Sequence, residues 1–287
     1  MTEHFDPGWL ALREPYDAAA RSPALAALLS AALPDRPRIL DLGAGAGSLF
    51  RWLAPIIGRD QHWTLVDADP ALLDLGLRVT LAWAWGNGWP ADETADGLTI
   101  SADTGTWRVR PLLLDLRDAP QGLPLRSADA VVCSALCDLV SRGFVLRMAA
   151  ALNVPFYATL NVYGHDAWLP ADPADRLVAA GFRRDQGRDK GFGRALGAEA
   201  PAALMSAFRD AGFGVFAAPS EWRIHGRGDL AMAEALIRGH SDAAAAARPA
   251  RRRAAMAWRG RRLRAALSGR LAIRILHRDI LAIPGRE

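Results

Sequence analysis

Short apolar runs alternate along this chain with longer stretches in which apolar residues recur every three or four positions, the mark of strands followed by helices. Phe5 to Leu33 reads as two helices, the second from about Ala24, stopped by Pro34 and Pro37. Arg38 to Leu42 is an apolar run ending in a glycine cluster. After a helical stretch comes a second run, Trp63 to Val66, ending at Asp67, which makes a βαβ unit. Asp69-Pro70 caps a helix over Ala71 to about Trp85, which stops at Gly86-Asn87-Gly88. Leu98 to Leu116 reads as a hairpin turning at Asp103-Thr104-Gly105, with Val109 to Leu114 as its core strand. Ala130 to Cys133 and Phe156 to Leu160 are buried strands separated by a helix over Gly143 to Leu152. Val215 to Ala218 and Arg274 to Ile283 are the last two strands, with an arginine-rich helix between them. This alternation predicts an α/β fold: a doubly wound, mostly parallel sheet with right-handed crossovers.

The whole chain, 1–287, reads as a single domain. Its parts are N-terminal helices (1–37), a ligand-binding core (38–162), two insertions forming a lid (163–210 and 229–270), and the last strands (211–228 and 271–287). About half the residues are hydrophobic and 23% are charged, a globular balance. No apolar run approaches the roughly 20 residues of a membrane span, and the N-terminus lacks signal-peptide character, so the expectation is a cytoplasmic protein with no membrane partner. Cys133 and Cys137 are expected to be reduced and structural.

The net charge of +4 hides an asymmetry: Ala243 to Arg278 holds eleven arginines and no acid, leaving 24 basic against 31 acidic residues elsewhere. Such a block attracts nucleic acid or an anionic ligand, or is a solvated helix face. Met256, Gly260, Leu263 and Leu267 give the same helix a packing face. Basic residues are almost all arginine, Lys190 being the only lysine, which weakens any claim that each arginine was selected for binding.

The stretch Ile39-Leu40-Asp41-Leu42-Gly43-Ala44-Gly45-Ala46-Gly47-Ser48 carries the sharpest signal. Alternate glycines between a strand and a helix let the backbone approach a ligand, with the helix's first N–H groups as donors. A dinucleotide fingerprint would need glycine where Ser48 or Phe50 stands. The stretch resembles instead the D/E-x-G-x-G-x-G motif of class I S-adenosylmethionine-dependent methyltransferases, with Asp41 as its acid. The resemblance covers about Arg38 to Asn161 and implies a Rossmann-like sheet with an antiparallel last strand and S-adenosyl-L-methionine as cofactor. It assigns Asp67, followed by Ala68, to the ribose hydroxyls. Asp115 then reads the adenine amino group and the Leu116 N–H the ring. Asp129 to Ser134 matches the strand whose end faces the reactive methyl, so the cofactor set is Asp41, Gly43, Ala44, Gly45, Gly47, Asp67, Ala68, Asp115, Leu116 and Ser134. Asp69, before Pro70, suits a helix cap better.

Methyl transfer needs acceptor and methyl aligned, a base where the acceptor carries a proton, and no metal. The amino-methylating N/D-P-P-Y/F signature is absent, since Ser134-Ala135-Leu136-Cys137-Asp138 stands in its place, and there is no Pro-Cys pair of the pyrimidine-carbon type. Candidate bases are Asp138, just past the fourth core strand, and His165, in the loop after the fifth. Tyr163 and Asp166 in that loop, and Lys190 among glycines, are candidate substrate contacts. Trp9 and Leu12 to Asp17 are candidates for a lid over the cofactor. The function expected is methyl transfer to a small polar molecule of unspecified acceptor atom. The alternatives are RNA methylation using the arginine-rich helix and a non-catalytic, cofactor-binding regulatory protein.

Overall fold

A computed structural model describes residues 6–285. Residues 1–5, including Phe5 where the first-helix reading begins, and 286–287 lie outside the described residues.

Helices α1 (Pro7–Ala20) and α2 (Pro23–Ala32) each open on a proline behind an N-cap, Asp6 and Ser22 respectively. The alternation then runs β1 (Arg38–Leu42), α3 (Ser48–Ile57), β2 (Gln61–Asp67), α4 (Pro70–Gly86), β3 (Ala91–Thr94), β4 (Gly97–Ala102) and β5 (Gly105–Leu113). It continues with β6 (Ala130–Ser134), α5 (Arg142–Ala151), β7 (Phe156–Val162), β8 (Ala167–Leu169), α6 (Asp175–Gln186), α7 (Ala200–Asp210), β9 (Phe213–Pro219) and β10 (Trp222–His225). The chain ends in α8 (Leu230–Ala247), α9 (Arg252–Leu267), β11 (Ala272–Ile275) and β12 (His277–Pro284).

Nine strands form one sheet in the order β3-β4-β5-β2-β1-β6-β7-β12-β9. The five strands from β5 to β7 are parallel, and β12 runs antiparallel between β7 and β9. This is a Rossmann-like, doubly wound sheet. Strand order reverses between β1 and β6, which opens a crevice at their carboxyl ends. Ile39, Trp63, Leu65 and Val109 pack one face under Leu29, Phe50 and Leu73 of α2 to α4. Leu40, Val131, Cys133 and Phe156 pack the other under Phe144, Met148, Leu204 and Phe208 of α5 and α7. Cys133 and Cys137 are both buried and free, their sulfurs 3.6 Å apart.

A third core belongs to a smaller module in which α6, α8 and α9 pack on the three-stranded sheet β10-β11-β8 around Trp168, Trp222 and Trp258. The pattern had hidden most of this module. The run from Arg274 to Ile283, expected as one strand, breaks at Leu276: β11 serves the small sheet and β12 the large one. The segment between the last strands holds β10 and two helices rather than one helix. Ala200–Asp210, expected within a lid, is α7 of the main core. The packing face of α9 is centred on Ala255, Trp258, Arg262 and Ala266, with the expected Met256 and Leu263 partly buried against the same core, whereas Leu267 is exposed. The reason is Arg262, which a pattern count treats as polar. Its guanidinium lies over the rings of Trp168 and Trp258 and bonds the Pro170 carbonyl and the Asp175 carboxylate.

Candidate cofactor site

The glycine loop takes the shape its composition requires, because Gly43, Gly45 and Gly47 all have left-handed φ, at 63°, 52° and 79°. Gly47 is also the N-cap of α3. The loop is pinned on both sides: the Ala44 N–H donates to the Val66 carbonyl at 3.0 Å and the Gly45 N–H to the Asp67 carboxylate at 2.8 Å. The other Asp67 oxygen accepts the Asp69 N–H at 3.0 Å. Burial raises the Asp67 pKa, and these N–H donors oppose that shift. Asp69 caps α4, accepting the Ala71 N–H at 2.9 Å.

Asp41 is only 1% exposed, and neither carboxylate oxygen has a hydrogen-bond partner. Burial pushes its pKa up to about 8, with Arg21 opposing and Asp67 adding to the rise. It borders a recess of about 60 Å³ with Glu14, Asp17, the glycine loop, Ser48 and Ser134. Arg21 is itself buried and donates to Ser134 Oγ at 3.0 Å and Ser48 Oγ at 3.3 Å, tying the ends of β6 and the glycine loop to the end of α1.

Beside the recess is a cavity of about 490 Å³. Gly43, Gly45, Asp67, Ala68, Asp115, Leu116, Ser134 and Lys190 all line it, so four strand ends and one distant loop converge there. Ala44 borders the recess, and Gly47 lies beneath, its α-carbon side facing Arg51. Asp115 is held by Arg117, which donates through its backbone N–H at 2.9 Å and through Nε at 2.7 Å; the Arg117 bond holds the carboxyl below its ordinary range. A larger open cleft of about 970 Å³ lies between α4, the β3–β4 hairpin and β5, without the glycine loop.

The remaining candidates lie elsewhere. Asp138 does not line the cavity, and its carbonyl accepts the Gly197 N–H at 2.9 Å. His165 is exposed, with Nδ1 2.7 Å from Nη1 of Arg183. Tyr163 lies under the Arg278 guanidinium at 4.0 Å, and Asp166 pairs with His240 at 2.9 Å. Of the α1 residues expected to cover the cofactor, Arg13 lines the cavity together with Leu10, whereas Trp9 packs on Trp222 and Tyr16 donates to Asp229. Leu10, Leu72, Leu136, Leu139 and Phe192 complete the apolar lining; their sequence signal is that of any core residue. Among the described residues no cluster of His, Cys, Asp and Glu is arranged to hold a metal, and no helix is long and apolar enough to cross a membrane.

No family model and no curated protein matches the sequence. Solved structures with a similar chain path include a geranyl diphosphate methyltransferase in complex with S-adenosylmethionine, at TM-score 0.43 and 11% identity over 99% of this chain and 93% of that one. The geranyl diphosphate C-methyltransferase of Streptomyces coelicolor A3(2) is similar at TM-score 0.41 and 11% identity, over 91% and 80% of the two chains. A cyclopropane synthase from Mycobacterium tuberculosis is similar at TM-score 0.42 and 12% identity, over 90% and 83%.

Proposed function

We propose that the chain binds S-adenosylmethionine in the glycine-loop cavity and transfers its methyl group to a small polar molecule. The observation that carries this reading is Asp41, a buried carboxyl group without a hydrogen-bond partner at the edge of a glycine loop. Such a group costs stability until something pairs with it. An ammonium group, as on the cofactor's methionyl end, is a fitting partner.

The other residues fit the same ligand. Asp67 keeps lone pairs for ribose hydroxyls beyond those engaged by Gly45 and Asp69. Asp115 and Leu116 flank the adenine position, with Arg117 fixing the direction of the carboxylate. Arg21 holds Ser134 and so fixes the end of β6. When bound, the cofactor supplies a methyl group on a positively charged sulfur, open to in-line displacement by an acceptor lone pair. Leu10 and Arg13 of α1 line the same cavity. Neither Asp138 nor His165 borders the cavity, so the proposal gives neither the role of base.

Calorimetry with S-adenosylmethionine, S-adenosylhomocysteine and NAD tests the reading. Binding of the two sulfur ligands without NAD is expected. Heat with NAD, or none with either sulfur ligand, would overturn it.

A further inference from the structure

We propose that β9, one edge of the main sheet, pairs antiparallel with β9 of a second copy of this chain, about a two-fold axis at Phe216. This edge carries none of the residues that line the cofactor cavity. The sheet's two edges differ. β3 is four residues long and exposes Asp92 and Glu93, the short, charged form that discourages a further strand. β9 is seven residues long, Phe213-Gly214-Val215-Phe216-Ala217-Ala218-Pro219, and has no charge. Its ladder with β12 is regular, and the flanking bonds set its phase: the Ser220 N–H donates to the His277 carbonyl and the Gly285 N–H to the Gly212 carbonyl. Gly214, Phe216 and Ala218 therefore bond β12, whereas Phe213, Val215, Ala217 and Pro219 turn their backbone groups outward. β9 ends the sheet, and those outward groups have no hydrogen-bond partner among the described residues.

A second β9 matches this edge along its whole length. Reversal about Phe216 sets Val215 opposite Ala217 of the second copy and Phe213 opposite Pro219 of the second copy, all outward-facing positions, so that about six backbone bonds close, with Pro219 supplying only its carbonyl. Gly214 or Ala218 at the centre would shorten the seam and lose bonds. Phe216 then meets its own counterpart in a non-hydrogen-bonded pair, where side chains approach most closely. It is 45% exposed and shares a face with Ala218, which packs on the core beneath α2, whose Leu28 is 44% exposed. Two Phe216 rings in contact shield apolar area that a single copy leaves in water. The charges also suit a two-fold. β9 brings none to the seam, and its flanks are mixed: exposed Arg209 and Asp210 precede it, Glu221 and exposed Arg223 follow it. Reversal sets one flank beside the other, acid within reach of base, with no block of like charge. A seam of about 24 Å is at the small end of specific interfaces, so the dimer is weak, with a dissociation constant of about 10–100 µM.

Sedimentation equilibrium of the whole chain, at concentrations spanning the expected constant from about 1 to 200 µM, tests the pairing. The wild type should pass from monomer to dimer over that range. Ala217→Pro removes an outward N–H and leaves the β12 ladder intact, so this variant should stay monomeric, with far-UV circular dichroism and melting temperature matching those of dilute wild type. Phe216→Lys and Phe216→Glu should each be monomeric alone, because like charges meet at the axis, and an equimolar mixture of the two should associate. A wild type that remains monomeric across the range would overturn the proposal. So would a dimer that survives both Ala217→Pro and Phe216→Lys, which would place the contact on another surface. Failure of the charge-swapped mixture to associate would overturn it too, by removing Phe216 from the axis.

Discussion

Arg51 of α3 grips Glu14 of α1 with two parallel bonds, Nε to Oε1 at 2.8 Å and Nη2 to Oε2 at 2.6 Å. Its remaining nitrogen, Nη1, donates to the Ala46 carbonyl at 2.6 Å and to Thr80 Oγ1 at 3.0 Å. One buried guanidinium therefore ties the N-terminal helix, the glycine loop and α4 together. Arg51→Met should strand the Glu14 carboxylate and the Ala46 carbonyl, lowering stability by about 3 kcal/mol. Glu14→Gln keeps a hydrogen-bond acceptor and should cost about 1 kcal/mol. Urea denaturation of both variants measures the difference; equal losses would show that Arg51 acts through the Glu14 charge alone.

Asp41 predicts a pH dependence with a definite sign. Its folded pKa, about 8, lies above its ordinary value of 3.8, so the folded protein holds a proton that the unfolded chain has released. Its contribution to stability is thus greatest below pH 4 and is lost as pH rises toward 8. His277 acts in the opposite sense: burial depresses its pKa from 6.5 to about 4, so its effect is confined below pH 6.5. Between pH 6.5 and 8, Asp41→Asn should reduce the fall in stability by up to about 1.4 kcal/mol per pH unit. If the methionyl ammonium pairs with the ionised Asp41, cofactor binding at pH 7 should release protons. Calorimetry in buffers of different ionisation enthalpy reads that release, which Asp41→Asn should abolish.

The two acids after β2 should separate cleanly. Asp67→Ala removes the acceptor of the Gly45 N–H and the proposed ribose partner, so cofactor affinity should fall by about 2–3 kcal/mol, or roughly 30- to 150-fold. Asp69→Ala removes a helix cap, with a stability cost of about 1 kcal/mol and little change in affinity. Dissociation constants and melting curves for both variants would expose a reversed order.

The arginines from Arg248 to Arg262 divide into two groups. Arg259, Arg261 and Arg262 pair with Asp242, Asp172 and Asp175, whereas Arg248, Arg251, Arg252 and Arg253 are exposed around the α8–α9 turn and have no ion-pair partner among the described residues. Arg262→Met should destabilise by about 3 kcal/mol through the stranded Asp175, and glutamine at the four turn positions should leave stability within about 0.5 kcal/mol. Titration of duplex RNA across salt concentrations then decides between the small-molecule and RNA readings. Saturable binding near physiological salt that is lost in the four-glutamine variant would favour RNA; weak binding that vanishes with modest salt would favour the small molecule.

The main sheet was legible because its signals are local. Apolar runs such as Ala130 to Cys133 cannot be solvated, and glycines 43, 45 and 47 and the cap at Asp69 punctuate the chain where it turns. The smaller module was illegible for the opposite reason. Strands β8, β10 and β11 are three or four residues long and come from widely separated segments, and α9 buries an arginine whose acid partner lies 87 positions earlier. In the site, the strand-end residues announced themselves by spacing. Tyr163, His165 and Asp166 also follow a core strand, but the chain leaves the crevice there to enter β8, and no local pattern reports that departure.

The break at Leu276 also bears on how a ligand enters. The peptide passes from β11 to β12 through that single residue, whose carbonyl accepts the Tyr163 N–H at 2.9 Å. Three residues later, Asp279 accepts the N–H groups of Ser22 and Leu160, both at 2.8 Å. Swinging the small module away as a rigid door would pull on this stitch, shearing the β12 ladder and unseating the start of α2. The crevice is therefore a room whose wall on the side of the small module is fixed, held by the same residues that close the large sheet.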